Sequence, residues 1–214
     1  YRKMFPDERF IGLGEKTGVL VGAYSAGFSN IMNPSRYAAM SFEERYAISR
    51  RVVEKFHPGR GKELEKPLIA MIRGYCIGGG LAISLTADLR ISADDGQFAV
   101  PAASLGLGYG YRGIRELMQI VGPSFAKEIF FTARRFNAVE AKEMGLVNRV
   151  VPAADLEATT RTLAEQIASN APLTVRAAKA AVGEATRDPG ERDLAKIEAM
   201  VAECFASEDY VEGR

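Results

Sequence analysis

Three consecutive glycines stand in the run Cys76-Ile77-Gly78-Gly79-Gly80-Leu81-Ala82, between an apolar stretch, Leu68 to Ile72, and a stretch of helical character from Gly80 to Ala87. The pattern predicts a strand, a tight turn and a helix start. Glycines let a backbone approach a ligand closely and leave N–H groups open. The helix dipole adds partial positive charge at the same point. Such a turn can hold a phosphate, a carboxylate or a developing oxyanion. A phosphate is disfavoured, because no Lys-Ser or Lys-Thr follows the glycines as in a P-loop. The Gly-x-Gly-x-x-Gly spacing of dinucleotide-binding turns is also missing.

A second turn of small residues, Gly22-Ala23-Tyr24-Ser25-Ala26-Gly27-Phe28-Ser29-Asn30, follows the apolar run Val19-Leu20-Val21. If both turns face one cleft, their N–H groups can clamp a single carbonyl oxygen. That clamp stabilises an enolate or a tetrahedral oxyanion by several kcal/mol, on the order of 3, without a cation. Tyr109 and Tyr111 lie in a glycine-rich loop and can donate protons or bind a substrate carboxylate; a packed aromatic lid is the plain alternative. The carboxylates within reach in sequence are Asp88, Asp94, Asp95 and Glu116. Asp88 reads as a helix-closing residue and Asp94-Asp95-Gly96 as a turn. Glu116 follows Arg115 directly and reads as half of a surface ion pair. His57 is the single histidine and precedes a proline at a helix end, which excludes a His-rich metal site.

The elements that must position these groups can be read from pattern. A short strand is expected at Phe10-Ile11 and buried strands at Val19 to Val21, Leu68 to Arg73 and Leu89 to Ala93. A strand at Gln97 to Val100 and another at Leu146 to Val151 follow. Helices are expected at Phe42 to Phe56, capped by Ser41, and at Ile114 to Val121. A break at Gly122-Pro123 separates the latter from Phe125 to Phe131. Asn137 starts another helix, ending near Gly145. After Pro152 the chain turns helical: Ala153 to Ser169, with Leu156, Leu163 and Ile167 on one stripe, then Pro172 to about Thr186 and Glu191 to Phe205. Strands and glycine turns therefore dominate residues 1–152, and helices residues 153–214. This is a mixed α/β core followed by a helical region with an apolar face to cover.

Composition narrows the function classes. With 214 residues and 47% hydrophobic content the chain can bury a sizeable core. A formal net charge of +1 gives no electrostatic footprint for nucleic acid or an anionic membrane. Cys76 and Cys204 are far apart and form neither a metal motif nor a disulfide framework; Cys76 reads as a small buried hydrophobe. No stretch is apolar enough to span a membrane, and the first residues lack a signal-peptide core. A reduced, cytoplasmic-type compartment is the expectation.

On these residues the chain resembles the crotonase (enoyl-CoA hydratase/isomerase) superfamily. The similarity runs from about Ser25 to near the C-terminus. It is strongest in Lys66-Pro67 through Leu81, in Asp88-Leu89-Arg90-Ile91-Ser92, and from Arg135-Phe136-Asn137-Ala138 through Gly145-Leu146-Val147-Asn148-Arg149-Val150-Val151-Pro152. The resemblance implies a spiral of ββα units and a helical C-terminal region that forms a homotrimer or a dimer of trimers. It implies an acyl group carried as a coenzyme A thioester, with no permanently bound cofactor and no metal. By the family pattern the oxyanion hole is the backbone N–H of Phe28, reached through Ser25, Ala26 and Gly27, and that of Gly79, preceded by Gly78.

The departures from the family matter as much. Its hydratases carry two catalytic glutamates; the matching positions here are Ala82 and Ala102. A methyl group transfers no proton, so the usual acid and base of hydration are absent. Phe28 is bulky where small residues are usual, and Ser29 replaces a common aspartate. Leu107-Gly108-Tyr109 resembles the loop of family decarboxylases acting on malonyl-type CoA esters, which place a tyrosine there. Residues 1–24 are shorter than the segment that relatives place before the first oxyanion turn, so an incomplete N-terminal part is expected. Three readings follow: an enolate-stabilising hydratase/isomerase-type enzyme, a CoA-ester decarboxylase using Tyr109, and a CoA-binding scaffold without catalysis.

Overall fold

The structure is a computed structural model that describes the backbone of residues 10–13 and 19–25, and backbone and side chains over residues 65–213. Ala26, Gly27 and Phe28, the helix expected at Phe42 to Phe56 and His57 lie outside the described residues.

Strands β1 (Phe10–Leu13), β2 (Val19–Ser25) and β3 (Leu68–Arg73) begin the larger sheet. After β3 the chain crosses to a second sheet as β4 (Tyr75–Ile77) and turns into helix α1 (Gly79–Ser84). It returns as β5 (Leu89–Ala93) and crosses again as β6 (Gln97–Ala99). A single 3₁₀ turn, Ala103–Leu105, leads to the long helix α2 (Tyr111–Thr132). Then come β7 (Phe136–Asn137), α3 (Ala138–Glu143) and β8 (Arg149–Val151). The larger sheet has the order β1-β2-β3-β5-β8 and the smaller β4-β6-β7. β2, β3, β5 and β8 run parallel, while β1 is antiparallel to β2. Each passage through both sheets and a helix is one ββα turn of a spiral, the architecture that the sequence resemblance implies.

Alternation along β3 explains why its whole length is apolar. Leu68, Ala70 and Ile72 face a core shared with Cys76, Leu81, Phe98 and Phe136. Ile69 and Met71 face the opposite side, against Ile91, Ala93, Leu156 and Ala164. A parallel strand covered on both faces needs side chains of this kind at every position. Leu156 and Ala164 belong to α4 (Leu156–Ala168), so the first C-terminal helix covers the chain's own sheet. Helices α5 (Pro172–Ala185), α6 (Leu194–Phe205) and α7 (Glu208–Glu212) follow. α6 buries no residue and leaves Leu194, Val201 and Phe205 exposed.

Several boundaries differ from the sequence reading, each for a definable reason. The helix after the glycines ends at Ser84, and Asp88 does not close it. Its Oδ2 accepts the N–H of Leu68 at 2.7 Å and the Lys179 ammonium at 2.8 Å, so it anchors the start of β3 to α5. β8 begins at Arg149 rather than Leu146, because the amides of Leu146 and Val147 are donated to Ala141 O. The Asn148 side chain accepts the Arg90 N–H instead, at 2.8 Å. α2 begins at Tyr111, three residues before the expected Ile114, and Gly122 at φ 76 kinks it where a break was expected. Asn137 caps α3 in a full capping box with Glu140.

Arg90 ties these pieces together from inside. It is 6% exposed, and its guanidinium donates to Leu146 O at 2.7 Å and Ala87 O at 2.8 Å. Burial pulls its pKa below the usual range, and the Asp88 charge opposes that shift. Arg90→Ala leaves both carbonyls without a donor, and an unsatisfied buried group costs about 1–3 kcal/mol. The expected loss is therefore about 3 kcal/mol of unfolding free energy, read by urea denaturation. Burial also pushes the Cys76 thiol up to about 12, opposed by its contact with Ser84 and by Arg90. At pH 8 its thiolate fraction is negligible. Titration with a thiol reagent is expected to leave Cys76 unmodified in the folded chain and to reach it on unfolding.

Candidate active site

The parallel pairing of β2 and β3 sets Ser25 opposite Arg73 at the ends of the two strands. β2 thus ends at the edge where the chain heads from β3 for the glycines. Ligand sites of α/β sheets gather at such carboxyl edges. From Arg73 the chain passes Gly74 (φ 66), β4 and Gly78 (φ 55, ψ −114) into α1. A side chain at Gly78 would strain the backbone in this left-handed region. The Gly78 N–H is donated to Ala99 O at 2.9 Å, so this residue serves by conformation and not by a free donor. Gly79 is exposed at the first position of α1. First-turn N–H groups of a helix have no carbonyl four residues back to bind, so the Gly79 N–H has no partner within the helix.

One helical turn beyond Gly79, Ala82 lines an apolar cavity of about 40 Å³. Leu81, Val100, Tyr109, Glu116 and Phe130 also line it. Tyr109 leans on Phe130 edge-to-face, ring centroids 4.9 Å apart. A methyl group placed on Gly113 would come within 2.9 Å of Tyr109 Cε1, so the glycine makes room for the ring. Tyr109 is 37% exposed, whereas Tyr111 is 77% exposed and belongs to the surface. Burial raises the Tyr109 phenol above its ordinary value, and the nearby Glu116 charge raises it further. The phenol is therefore a neutral donor at physiological pH.

Glu116 departs from the sequence reading. It does not pair with Arg115: Arg115 binds Asp188 at 3.0 Å and Thr186 O at 3.1 Å, linking α2 to the chain after α5. Glu116 pairs instead with Arg112, Nε to Oε1 3.5 Å, one turn back on the same helix. Its side chain is 13% exposed against 60% for Arg112. The structure thus brings Ala82, Tyr109 and Glu116 to one cavity. Asp94 and Asp95 stay turn residues, accepting the N–H groups of Ala153 and Gly74, each at 3.1 Å. Ala102, at the second glutamate position, is 6% exposed and offers no proton-transfer group. Among the described residues no group of three or more His, Cys, Asp or Glu is arranged to hold a metal, and no helix is long and apolar enough to cross a membrane.

Residues 37–214 match the family model described as enoyl-CoA hydratase/isomerase. The chain belongs to this family. Within it, the chain is 34% identical over 202 residues to a crotonyl-CoA hydratase of Syntrophomonas wolfei, covering 94% of this chain and 73% of the relative. It is 38% identical over 146 residues to a short-chain-enoyl-CoA hydratase of Clostridium acetobutylicum, covering 68% of this chain. That match spans 56% of the relative's length, and one to a carnitinyl-CoA dehydratase of Escherichia coli spans 59%. Among solved structures, an enoyl-CoA hydratase from Bacillus anthracis superposes with a TM-score of 0.73 at 26% identity, covering 97% of this chain and 94% of the other. The crotonase-type architecture is thereby shared with the family.

Gly113→Ala tests the seat of Tyr109. An alanine gains roughly 1 kcal/mol of helix propensity over glycine, while the ring must swing away. Stability is expected to change by less than about 1 kcal/mol. The Tyr109 phenol should then titrate closer to its ordinary value than in the parent chain. Tyrosinate absorbance, with Tyr109→Phe as the difference reference, reads the shift.

Proposed function

We infer that the chain acts on acyl-CoA thioesters by stabilising a thioester enolate, within the general chemistry of the hydratase/isomerase family. The N–H of the exposed Gly79 at the start of α1, one turn from the Ala82 cavity, is the observation that carries this reading. The thioester oxygen sits on Gly79, and Phe28 supplies the second N–H. Ser25, Ala26 and Gly27 shape the approach of that second donor, and Gly78 fixes the first. Enolate charge moves onto the oxygen as an α-bond breaks. Backbone donors aimed at that charge typically contribute about 3 kcal/mol each to the transition state. Alanines at positions 82 and 102 make addition of water a poor use of this site.

Glu116 disfavours the reading as a decarboxylase of malonyl-type esters centred on Tyr109. A departing carboxylate in the Tyr109 pocket would meet a second carboxylate there, and like charges in a poorly solvated site repel strongly. A neutral acyl chain meets no such penalty. The exposed Leu194, Val201 and Phe205 of α6 support self-association through the C-terminal helices, as a homotrimer or a dimer of trimers.

The test is proton exchange and product analysis on the purified chain. In D2O, α-protons of a saturated acyl-CoA are expected to exchange in the presence of the chain, followed by NMR. Hydration of crotonyl-CoA is expected to be negligible by mass spectrometry. Hydration at rates typical of hydratases would overturn the argument from the two alanines, and loss of CO2 from methylmalonyl-CoA without α-exchange would install the decarboxylase reading.

A further inference from the structure

We propose that Glu116 is the proton-transferring carboxylate of this site, standing in for the two glutamates replaced by Ala82 and Ala102; the reaction it serves is the family's own double-bond shift in a 3-enoyl thioester. The proposal rests on the enolate reading above and adds the missing base to it. Its ground is the juxtaposition of Glu116 with Ala82 at one apolar cavity that Tyr109 also lines.

Position fixes what Glu116 can reach. Ala82 follows Gly79 by three residues, which places both on one face of α1 about 4.5 Å apart along the axis. A thioester oxygen held at Gly79 therefore leaves its α-carbon and the next carbons running along the Ala82 face. Glu116 lines the same cavity. The alanine contributes only a methyl there, so acyl carbon and carboxylate can share the space. Glu116 faces two other polar groups: Arg112 on its own helix, and the Tyr109 phenol from the preceding loop. The Arg112 contact is 3.5 Å with an exposed partner, and the phenol stays protonated. Glu116 shares this cavity with the apolar side chains of Leu81, Val100 and Phe130.

A single carboxylate suits isomerisation better than hydration. Glu116 takes the C2 proton of a 3-enoyl thioester. The C2–H electron pair forms a C1–C2 double bond, and the carbonyl pair moves to the oxygen at Gly79. On collapse the C1=O bond reforms, a C2–C3 double bond appears, and the former C3–C4 π pair takes the proton from Glu116 at C4. The carboxylate is regenerated, no water is consumed, and nothing is oxidised. Hydration would instead need one group to activate water and another to protonate carbon.

The experiment compares the full chain with Glu116→Gln and Glu116→Asp on 3-hexenoyl-CoA, reading isomerisation, α-proton exchange in D2O and thermal melting. Loss of a general base typically removes 10²–10⁴ in rate. The expected result is a drop in kcat of about 10²-fold or more for Glu116→Gln, loss of α-exchange and a KM within about threefold of the parent. Glu116→Asp should recover part of the rate. Melting of Glu116→Gln should stay close to that of the parent, because the variant gives up only a 3.5 Å pair with a solvent-exposed arginine. Unchanged isomerisation and exchange in Glu116→Gln would overturn the assignment while leaving the enolate reading intact. A parent chain that decarboxylates methylmalonyl-CoA without α-exchange would overturn Glu116 alone; one that does none of these reactions would overturn both.

Discussion

The parallel register of β2 on β3 is the constraint on which the site depends. Because Ser25 lies opposite Arg73, β2 and β3 end together at one edge of the sheet, the edge from which the chain passes to Gly79. Shifting the pairing by one residue would turn every β3 side chain to the wrong core, and with Leu68, Ala70 and Ile72 on one side and Ile69 and Met71 on the other, the sequence tolerates no such slip cheaply. The register is locked at the start of β3 by Asp88, which takes the Leu68 N–H and holds Lys179. On the neighbouring strand it is locked by Arg90 and Asn148. The positive φ of Gly78 then aims α1 outward. Gly79 is thus positioned by packing and hydrogen bonds well removed from it.

The local signals in the sequence translate directly into structure. The bounds of β3 and β5 follow from apolar runs closed by Arg73-Gly74 and by the Asp94-Asp95-Gly96 turn. The capping box at Asn137 and the break at Gly122 follow from residue chemistry that acts within one helical turn. What local signals do not encode is partners distant in sequence. Asp88 looks like a helix terminator until Leu68 and Lys179, 20 and 91 residues away, are seen to share its oxygen. Leu146 and Val147 look like strand until Ala141 is seen to take their amides. The turn at Phe28, read from pattern alone, lies outside the described residues.

Glu116 illustrates the same limit in the site itself. Adjacency in sequence suggests Arg115 as its partner, yet neighbours on a helix diverge by about 100° and do not face each other. The informative spacing is four residues, and it points to Arg112 only if the helix begins by Tyr111. Gly110 and Gly113 obscure that start, since glycine disfavours helix. The physical reason for Gly113 is tertiary: it yields space to the Tyr109 ring. A residue chosen for a contact with the preceding loop thereby hides the helix register that would have revealed the carboxylate.

The charge balance of the cavity links the two sequence departures that first seemed unrelated, the absent glutamates and the present tyrosine. A small residue at position 82 leaves room in the cavity, and a carboxylate lines the same cavity. That carboxylate in turn helps keep the Tyr109 phenol protonated, together with burial. A neutral phenol beside a carboxylate is a donor–acceptor pair, whereas two carboxylates in so small a space would compete for one proton. Arg112, largely in solvent, offsets the Glu116 charge without filling the cavity. The arrangement therefore sets one carboxylate and one neutral phenol at a cavity one helical turn from Gly79.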